Sequence, residues 1–283
     1  MRVLVTGSRG MLGQDLCRIL GEKHEVLGVD IEEMDVRDAT AVTRVTSDFR
    51  PELIVHLAAM TNVDGCERVP DEAHRSNTIG TRNVVLACQR LDAVTVFLST
   101  GAVFDGEKHE PYIESDSPNP RSVYGRSKHD AELIVQSMVL RYFIVRAGWM
   151  FGGGPADKKF VAKILELAQK NSELKVVNDK FGSPTYTVDL SCGLASLIET
   201  DLYGIYHITN QGWCSRDSLA RHIVKTARIE DCRIVPVSSA EFPLPAPRPR
   251  MEALRNLALE QSGLPLLPAW EEAIDRYLKE TLL

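Results

Sequence analysis

The first 150 residues alternate short runs of apolar, mostly β-branched residues with longer amphipathic stretches, and this pattern restricts the possible folds strongly. The apolar runs do not alternate with polar residues, which is typical of strands covered on both faces in a parallel sheet. Strand and helix repeated in this order require right-handed crossovers. The sequence therefore predicts an α/β fold built on a doubly wound parallel sheet.

The predicted elements follow this rhythm as far as residue 150. We expect strands at residues 2–6, 25–29, 53–56, 94–99 and 143–146, and helices at 12–20, 39–49, 71–91 and 124–139. Beyond residue 150 the pattern loosens, and prolines and glycines mark loops. There we expect helices at 161–169 and 269–282, strands at 173–177 and 204–208, and loops at 181–185 and 242–250.

A glycine-rich loop follows the first strand directly and leads into the first helix. Glycine allows the sharp turn, and it lets a pyrophosphate approach the backbone amides closely. The helix N-terminus adds free N–H groups and a partial positive charge. The loop therefore predicts a dinucleotide site of the Rossmann type, contacted by Gly7, Arg9, Gly10, Met11, Leu12 and Gly13.

The end of the second strand bears on the choice of cofactor. Asp30 lies 20 residues after Gly10, where a carboxylate can bind the adenosine ribose hydroxyls and favour NAD. Arg9 could instead balance a 2′-phosphate and admit NADP. Asp35 and Val36 come next and could flank the adenine, or Asp35 could simply cap the following helix. The residues leave both cofactors open.

These patterns predict that the chain is divided into two parts near residue 150. Residues 1–150 are expected to form the dinucleotide-binding Rossmann domain. Residues 151–283 are expected to be mainly a smaller C-terminal substrate-binding lobe, with segments that return to the Rossmann sheet.

A Tyr-x-x-x-Lys pair, Tyr124 and Lys128, lies at the start of a predicted helix. Four residues apart, the two side chains share one helix face. An ammonium near a phenol is expected to lower the phenol's pKa toward neutral pH, which would make Tyr124 a proton donor to a carbonyl oxygen. Thr100 ends the fourth strand, where ligands of such sheets bind, so its hydroxyl is expected beside the phenol.

The order of these motifs resembles that of the extended short-chain dehydrogenase/reductases, and more narrowly of the dTDP-4-dehydrorhamnose reductases. The resemblance covers nearly the whole chain, with further motifs at 58–64 with Glu67, 99–106, 146–149, 181–185 and 248–249. It implies that Thr100, Tyr124 and Lys128 are catalytic and that Ala58 and Ala59 line the cofactor. It places near the substrate the residues Thr61, Val63, Thr100, Gly101, Trp149 and Arg248.

By this resemblance the expected reaction is reduction of the 4-keto group of dTDP-4-dehydro-L-rhamnose to dTDP-L-rhamnose, with NADPH as reductant and NADH as an alternative. Two other functions stay open. One is an epimerase or dehydratase of a nucleotide sugar, which recycles its nicotinamide within each turnover. The other is a non-catalytic NADP-binding regulatory subunit that resembles the β subunit of methionine adenosyltransferase.

Composition argues against several other classes. Thirty-three Lys and Arg against 39 Asp and Glu leave a net charge of −6, which disfavours binding to nucleic acid. No apolar run is long enough to span a bilayer, and the N-terminus does not read as a signal peptide. The cysteines and histidines lack zinc-site spacing, so no metal is predicted. We expect a cytoplasmic monomer or homodimer whose partner is a nucleotide-sugar substrate.

Overall fold

Six parallel strands form the central sheet of the computed structural model, which describes residues 1–282. Across the sheet they run in the order β2, β1, β3, β4, β5, β10, and every neighbouring pair is parallel. Their bounds are β1 (Arg2–Thr6), β2 (Glu25–Val29), β3 (Leu53–His56), β4 (Val94–Thr100), β5 (Tyr142–Ala147) and β10 (Gly204–His207). The doubly wound parallel sheet is thereby confirmed.

Helices cover both faces of this sheet, and a second group of short elements lies beyond β5. The helices are α1 (Met11–Leu20), α2 (Ala39–Phe49), α3 (Val63–Arg68), α4 (Pro70–His74), α5 (Gly80–Leu91), α6 (Val123–Met138), α7 (Phe160–Ala168), α8 (Thr187–Leu197), α9 (Arg216–Thr226), α10 (Leu257–Ser262) and α11 (Trp270–Leu282). The remaining strands are β6 (Met150–Phe151), β7 (Glu173–Val177), β8 (Phe181–Gly182), β9 (Thr185–Tyr186), β11 (Cys214–Ser215) and β12 (Arg233–Val237). None of the helices in residues 1–282 is both long and apolar enough to cross a bilayer.

Strand β1 illustrates why the apolar runs do not alternate. Val3 and Val5 pack into the core that α1 and α8 share, whereas Leu4 packs into the core under α2 and α5. All three side chains are fully buried. Because each face of the strand is covered, polar residues have no place in its middle.

One predicted helix is divided in the structure. The helix expected at 71–91 consists of α4, a π-helical turn (Arg75–Ile79) and α5. The wide turn contains Asn77, whose side chain accepts from the Met60 N–H at 2.7 Å and donates to Ser127 Oγ at 2.9 Å. Such turns are frequent at functional sites, and this one ties the loop after β3 to helix α6.

The loop expected at 181–185 also differs from the prediction, because it contains β8 and β9. Each has only two residues, too few for a periodic pattern. The strand expected at 204–208 is β10, which pairs with β5 and completes the sheet. The chain therefore leaves the sheet after β5 and returns more than 50 residues later to add β10.

Candidate active site

A cavity of about 1000 Å³ opens at the carboxyl ends of β1, β3 and β4. This edge of a parallel sheet is where ligands bind, at the point where the strand order reverses. The cavity is lined by every residue that the sequence places at the cofactor, in catalysis or at the substrate: Gly7, Arg9, Gly10, Met11, Leu12, Gly13, Asp30, Asp35, Val36, Ala58, Ala59, Thr61, Val63, Thr100, Gly101, Tyr124, Lys128, Trp149 and Arg248.

The glycine loop forms one end of the cavity. Gly7 has a φ of +69°, in the left-handed region that favours glycine. Gly10 is the N-cap of α1, and no side chain caps this helix. The first amides of α1 therefore keep their donors for a ligand, as a pyrophosphate site requires.

The two residues that argue for different cofactors lie together at the rim. Asp30 accepts from the backbone N–H of Arg9 at 3.1 Å and from that of Ile31 at 2.9 Å. The exposed Arg9 guanidinium pairs with Glu32 and Glu33. Asp30 thus holds the glycine loop in place. The Arg9 guanidinium stays at the surface, where a phosphate could replace Glu32 and Glu33 as its partner.

Asp35 does not cap the helix that follows it, so that alternative is wrong. The N-cap of α2 is Asp38, whose side chain accepts from the Thr40 N–H at 2.8 Å. The Asp35 carboxylate instead accepts from Arg37, whose hydrogen bonds hold the Asp35 pKa below its usual range. Asp35 therefore lies at the cavity wall with its charge already balanced.

Helix α6 begins where it can bring a phenol to the end of β4. Ser122 caps it by accepting from the Gly125 N–H at 3.1 Å. A Cβ on Gly125 would lie 2.3 Å from the carbonyl oxygen of Ala102, so only glycine permits this close approach. The helix thereby places Tyr124 beside Thr100, whose Oγ accepts from the Ala102 N–H at 3.1 Å and whose side chain also forms a hydrogen bond with the Tyr124 phenol.

The expected acidic phenol is not found. Burial raises the pKa of Tyr124 to about 12, and the side chain of Thr100 lowers it only in part. Lys128 does not have the expected effect, because burial lowers the pKa of its own amine to about 7. The prediction from spacing was wrong because it omitted the loss of water around both groups. A phenol that keeps its proton at neutral pH is nevertheless in the state needed by a proton donor.

Lys128 lines the cavity as a mostly buried side chain, with its Nζ 4.0 Å from the centroid of the Phe97 ring. Glu132, one helical turn further, raises the pKa of Lys128 against the effect of burial. Burial and the Lys128 charge together lower the pKa of His56 to about 3, so this histidine is neutral. The region under the site therefore holds one titratable amine with a pKa near neutrality.

A fully buried ion pair supports α6 from β5. Arg146 donates from Nε and Nη2 to the two carboxylate oxygens of Glu132, at 2.8 and 2.7 Å. Burial alone would raise the pKa of Glu132, but the hydrogen bonds and charge of Arg146, together with hydrogen bonds from His129 and Ser99, leave it at about 2. The pair fixes the helix that carries Tyr124 and Lys128 to the central sheet.

The other end of the cavity is built around Trp149. Its φ is +44°, which is rare for a bulky residue. The indole N–H donates to Glu252 at 3.0 Å, and the Arg216 guanidinium lies 3.5 Å from the ring centroid. Arg248 also lines this end and pairs with Asp64 at 3.0 Å. Trp149 therefore belongs to the cavity wall as well as to the packing of the second half of the chain.

Three residues of this end were not found from the sequence: Phe160, Arg216 and Glu252. Glu252 comes to Trp149 from 103 residues away, and no periodic pattern marks it. Its nearness to Arg248-Pro249 in the sequence is the one signal that could have pointed to it. Arg216 and Phe160 each stand at the first residue of a helix, without a motif of their own.

Comparison with known proteins gives consistent relatives over the whole chain. A family model described as RmlD substrate binding domain matches residues 1–283. The spore coat polysaccharide biosynthesis protein SpsK of Bacillus subtilis is 36% identical, over 99% of this chain and 97% of SpsK. A dTDP-4-dehydrorhamnose reductase of Streptomyces griseus is 35% identical, over 96% of this chain and 91% of its own. The crystal structure of dTDP-4-dehydrorhamnose reductase from Bacillus anthracis in complex with NADP is 37% identical, covers 99% of both chains and has a TM-score of 0.95.

Proposed function

Because this chain belongs to the family of the RmlD substrate binding domain, we propose that it reduces the 4-keto group of dTDP-4-dehydro-L-rhamnose to give dTDP-L-rhamnose. One observation carries this proposal. A protonated phenol, a neighbouring hydroxyl and a buried amine line the same cavity as an uncapped, glycine-flanked helix N-terminus. That combination suits hydride transfer to a carbonyl with concurrent protonation of its oxygen.

NADPH is the proposed reductant, with NADH as the alternative. The first amides of α1 have no side-chain cap and can donate to a pyrophosphate, and Arg9 is exposed at the rim for a 2′-phosphate. The B. anthracis relative, which is 37% identical, is a complex with NADP. The bound cofactor supplies the hydride.

Three side chains perform the protein's share of the reaction. Thr100 donates a hydrogen bond to the oxygen on carbon 4, while its Oγ is held in place by the Ala102 N–H. Tyr124 transfers its phenolic proton to that oxygen as negative charge develops there. Lys128 binds the nicotinamide ribose and faces Tyr124 from one helical turn away. Thr61, Val63, Gly101, Trp149 and Arg248 hold the nucleotide sugar.

We propose the same division of the chain that the sequence predicts. Residues 1–150 bind the dinucleotide, and the remainder mainly binds the sugar nucleotide. A cytoplasmic location and a monomeric or homodimeric state belong to this proposal as well.

The test is to mix the purified protein with the 4-keto nucleotide sugar and NADPH and to follow the nicotinamide absorbance. We expect oxidation of one NADPH for each sugar reduced. A folded protein that consumed no cofactor would contradict the proposal. Cofactor that copurified and was recycled without net consumption would instead indicate an epimerase or dehydratase.

A further inference from the structure

The guanidinium of Arg216 lies in the cavity between two aromatic rings. Its Cζ is 3.5 Å from the centroid of Trp149 and 4.5 Å from that of Phe160. Arg216 is the first residue of α9, and its backbone N–H donates to the carbonyl of Lys180 at 3.2 Å. A planar cation packed against rings is held in position while the N–H groups along its edge stay available.

Those N–H groups have no partner within residues 1–282. No carboxylate pairs with the Arg216 side chain there, and no hydrogen bond engages it. Burial lowers the pKa of Arg216 to about 10, and only part of that effect is offset by the charge of Glu252. A half-buried cation with unused donors is suited to an anionic ligand that enters the cavity.

A second guanidinium, that of Arg248, lies at the same end of the cavity. Arg248 lines the same end of the cavity and is near enough to lower the pKa of Arg216. Because Arg248 is paired with Asp64 at 3.0 Å and Glu252 lies near Arg216, the two guanidiniums offer an anion their N–H donors more than a large net charge. Guanidinium groups match phosphate oxygens with paired hydrogen bonds, so a diphosphate fits both the charge and the donor geometry.

The position of Arg216 in the cavity relative to Tyr124 agrees with the shape of a nucleotide sugar. A Cβ on Gly101, next to Thr100, would lie 2.9 Å from the carbonyl oxygen of Glu252. The Glu252 carboxylate accepts from the indole N–H of Trp149, which packs against Arg216. In a hexose ring, carbon 4 and carbon 1 lie on opposite sides, and the diphosphate is attached at carbon 1. A sugar whose carbon 4 meets Tyr124 would therefore direct its diphosphate away from the phenol, as a diphosphate site at the Trp149 end of the cavity requires.

We propose that Arg216 binds the diphosphate of the nucleotide-sugar substrate, with Trp149 and Phe160 fixing the plane of its guanidinium. This inference rests on the proposed function, because it concerns the substrate of the same site. Arg216 is a binding residue and takes no part in proton transfer. Its loss is therefore expected to weaken binding of the substrate and leave the chemical step intact.

The experiment compares Arg216→Met with the unchanged protein. Methionine retains an apolar stem against the rings but removes the charge. We expect the KM for the nucleotide sugar to rise about 10- to 100-fold, with kcat within about threefold, as for the loss of a charged hydrogen bond made equally in ground and transition states. The Kd for dTDP should rise by a similar factor. The Kd for thymidine, which lacks phosphate, should not change.

Arg221→Met is the matched control, because Arg221 lies on the same helix but bonds to Asp217 and the carbonyl of Ile234 outside the cavity. Equal weakening of dTDP and thymidine, or a fall in kcat with an unchanged KM, would show that Arg216 only supports Trp149 and would overturn the inference. A weaker Kd for NADPH alone would move Arg216 to the cofactor and overturn it too. If the protein bound dTDP through Arg216 but reduced no sugar, the proposed function would fail and this inference would stand.

Discussion

Gly7 and Ala58 approach so closely that a Cβ on Gly7 would lie 2.9 Å from the backbone nitrogen of Ala58. This contact joins the loop after β1 to the segment after β3, at the reversal of strand order. Both chain segments line the end of the cavity where the cofactor is proposed to bind. The absence of a side chain at Gly7 thus determines how near the two strands' ends can come.

Gly7→Ala is therefore expected to damage both folding and cofactor binding. Strain at φ +69° and overlap with backbone atoms together should cost about 2–4 kcal/mol of unfolding free energy, and NADPH affinity should fall at least about tenfold. Urea denaturation and fluorescence titration measure the two effects.

Gly263→Ala is the matched control, because Gly263 has a φ of +71° and open space around it. It should cost about 1 kcal/mol and leave NADPH binding unchanged. Equal losses in the two variants would refute the role of the Ala58 contact.

Tyr124→Phe removes the proposed proton donor without altering the ring. We expect kcat to fall at least about 100-fold, the usual size of an acid–base contribution, while the Kd for NADPH stays within about twofold. Steady-state assays and cofactor titration measure these values. Tyr203→Phe, at the distant edge of the sheet beside Asp201, serves as control. Normal turnover in Tyr124→Phe would remove the phenol from the mechanism.

Lys128 predicts a pH dependence of cofactor binding. Its pKa is about 7 in the free protein, and the ribose oxygens and negative charges of a bound cofactor should raise it. The complex would then bind a proton more tightly than the free protein. Cofactor affinity should thus be greatest below pH 7 and fall as pH rises through 7 toward the pKa of the complex.

Titrations with NADH between about pH 6 and 9 test this, because NADH lacks the 2′-phosphate and its own ionisation. Lys128→Met should bind more weakly and with no such slope. Affinity that rose with pH in the unchanged protein would contradict the sign derived from the lowered pKa.

The buried Glu132–Arg146 pair predicts a large loss of stability when one partner is neutralised. Glu132→Gln leaves the Arg146 charge buried without its carboxylate, which should cost about 3–5 kcal/mol by urea denaturation. Because the pKa of Glu132 is lowered, its contribution is complete above the ordinary pKa of 4.5 and is lost as pH falls toward 2. Glu166→Gln, in an exposed pair with Lys163 and Lys170, should not change stability measurably. Comparable effects of the two substitutions would show that burial of the pair is unimportant.

The position of Arg9 predicts a preference for NADPH over NADH. Arg9→Gln should lower the ratio of kcat/KM for NADPH to that for NADH by about tenfold, because only NADPH carries a 2′-phosphate for the guanidinium to bind. Steady-state kinetics with both cofactors give the ratio. An unchanged ratio would mean that the Glu32 and Glu33 pairs retain Arg9 when the cofactor is bound.

The parts predicted from the sequence are those that depend on local requirements. The glycine loop, the strand ends at Asp30 and Thr100, and the Tyr–Lys spacing each state a backbone or chemical need within a few residues. The helix α8 was not predicted, because most of its residues are buried and an amphipathic pattern is absent. Periodicity reveals a helix only when one of its faces meets water.

The differences at the candidate site arise from contacts between distant parts of the chain. Glu252 joins Trp149 across 103 residues, and the pKa of Tyr124 depends on how much water the surrounding loops exclude. Neither the Glu252–Trp149 contact nor the pKa of Tyr124 can be predicted from the spacing of Tyr124 and Lys128. The sequence thus identified which groups meet, but their ionisation states required the packed environment.

The late arrival of β10 at the sheet also affects how the chain can be divided. Because Gly204–His207 occupies the outer side of β5, a fragment that stopped after β5 would leave that strand's N–H and C=O groups unpaired along an apolar edge. Such a fragment would be prone to pair with other copies of itself. A ribosome must therefore synthesise more than 200 residues before the central sheet has all six of its strands. A truncated variant should likewise retain residues 204–207.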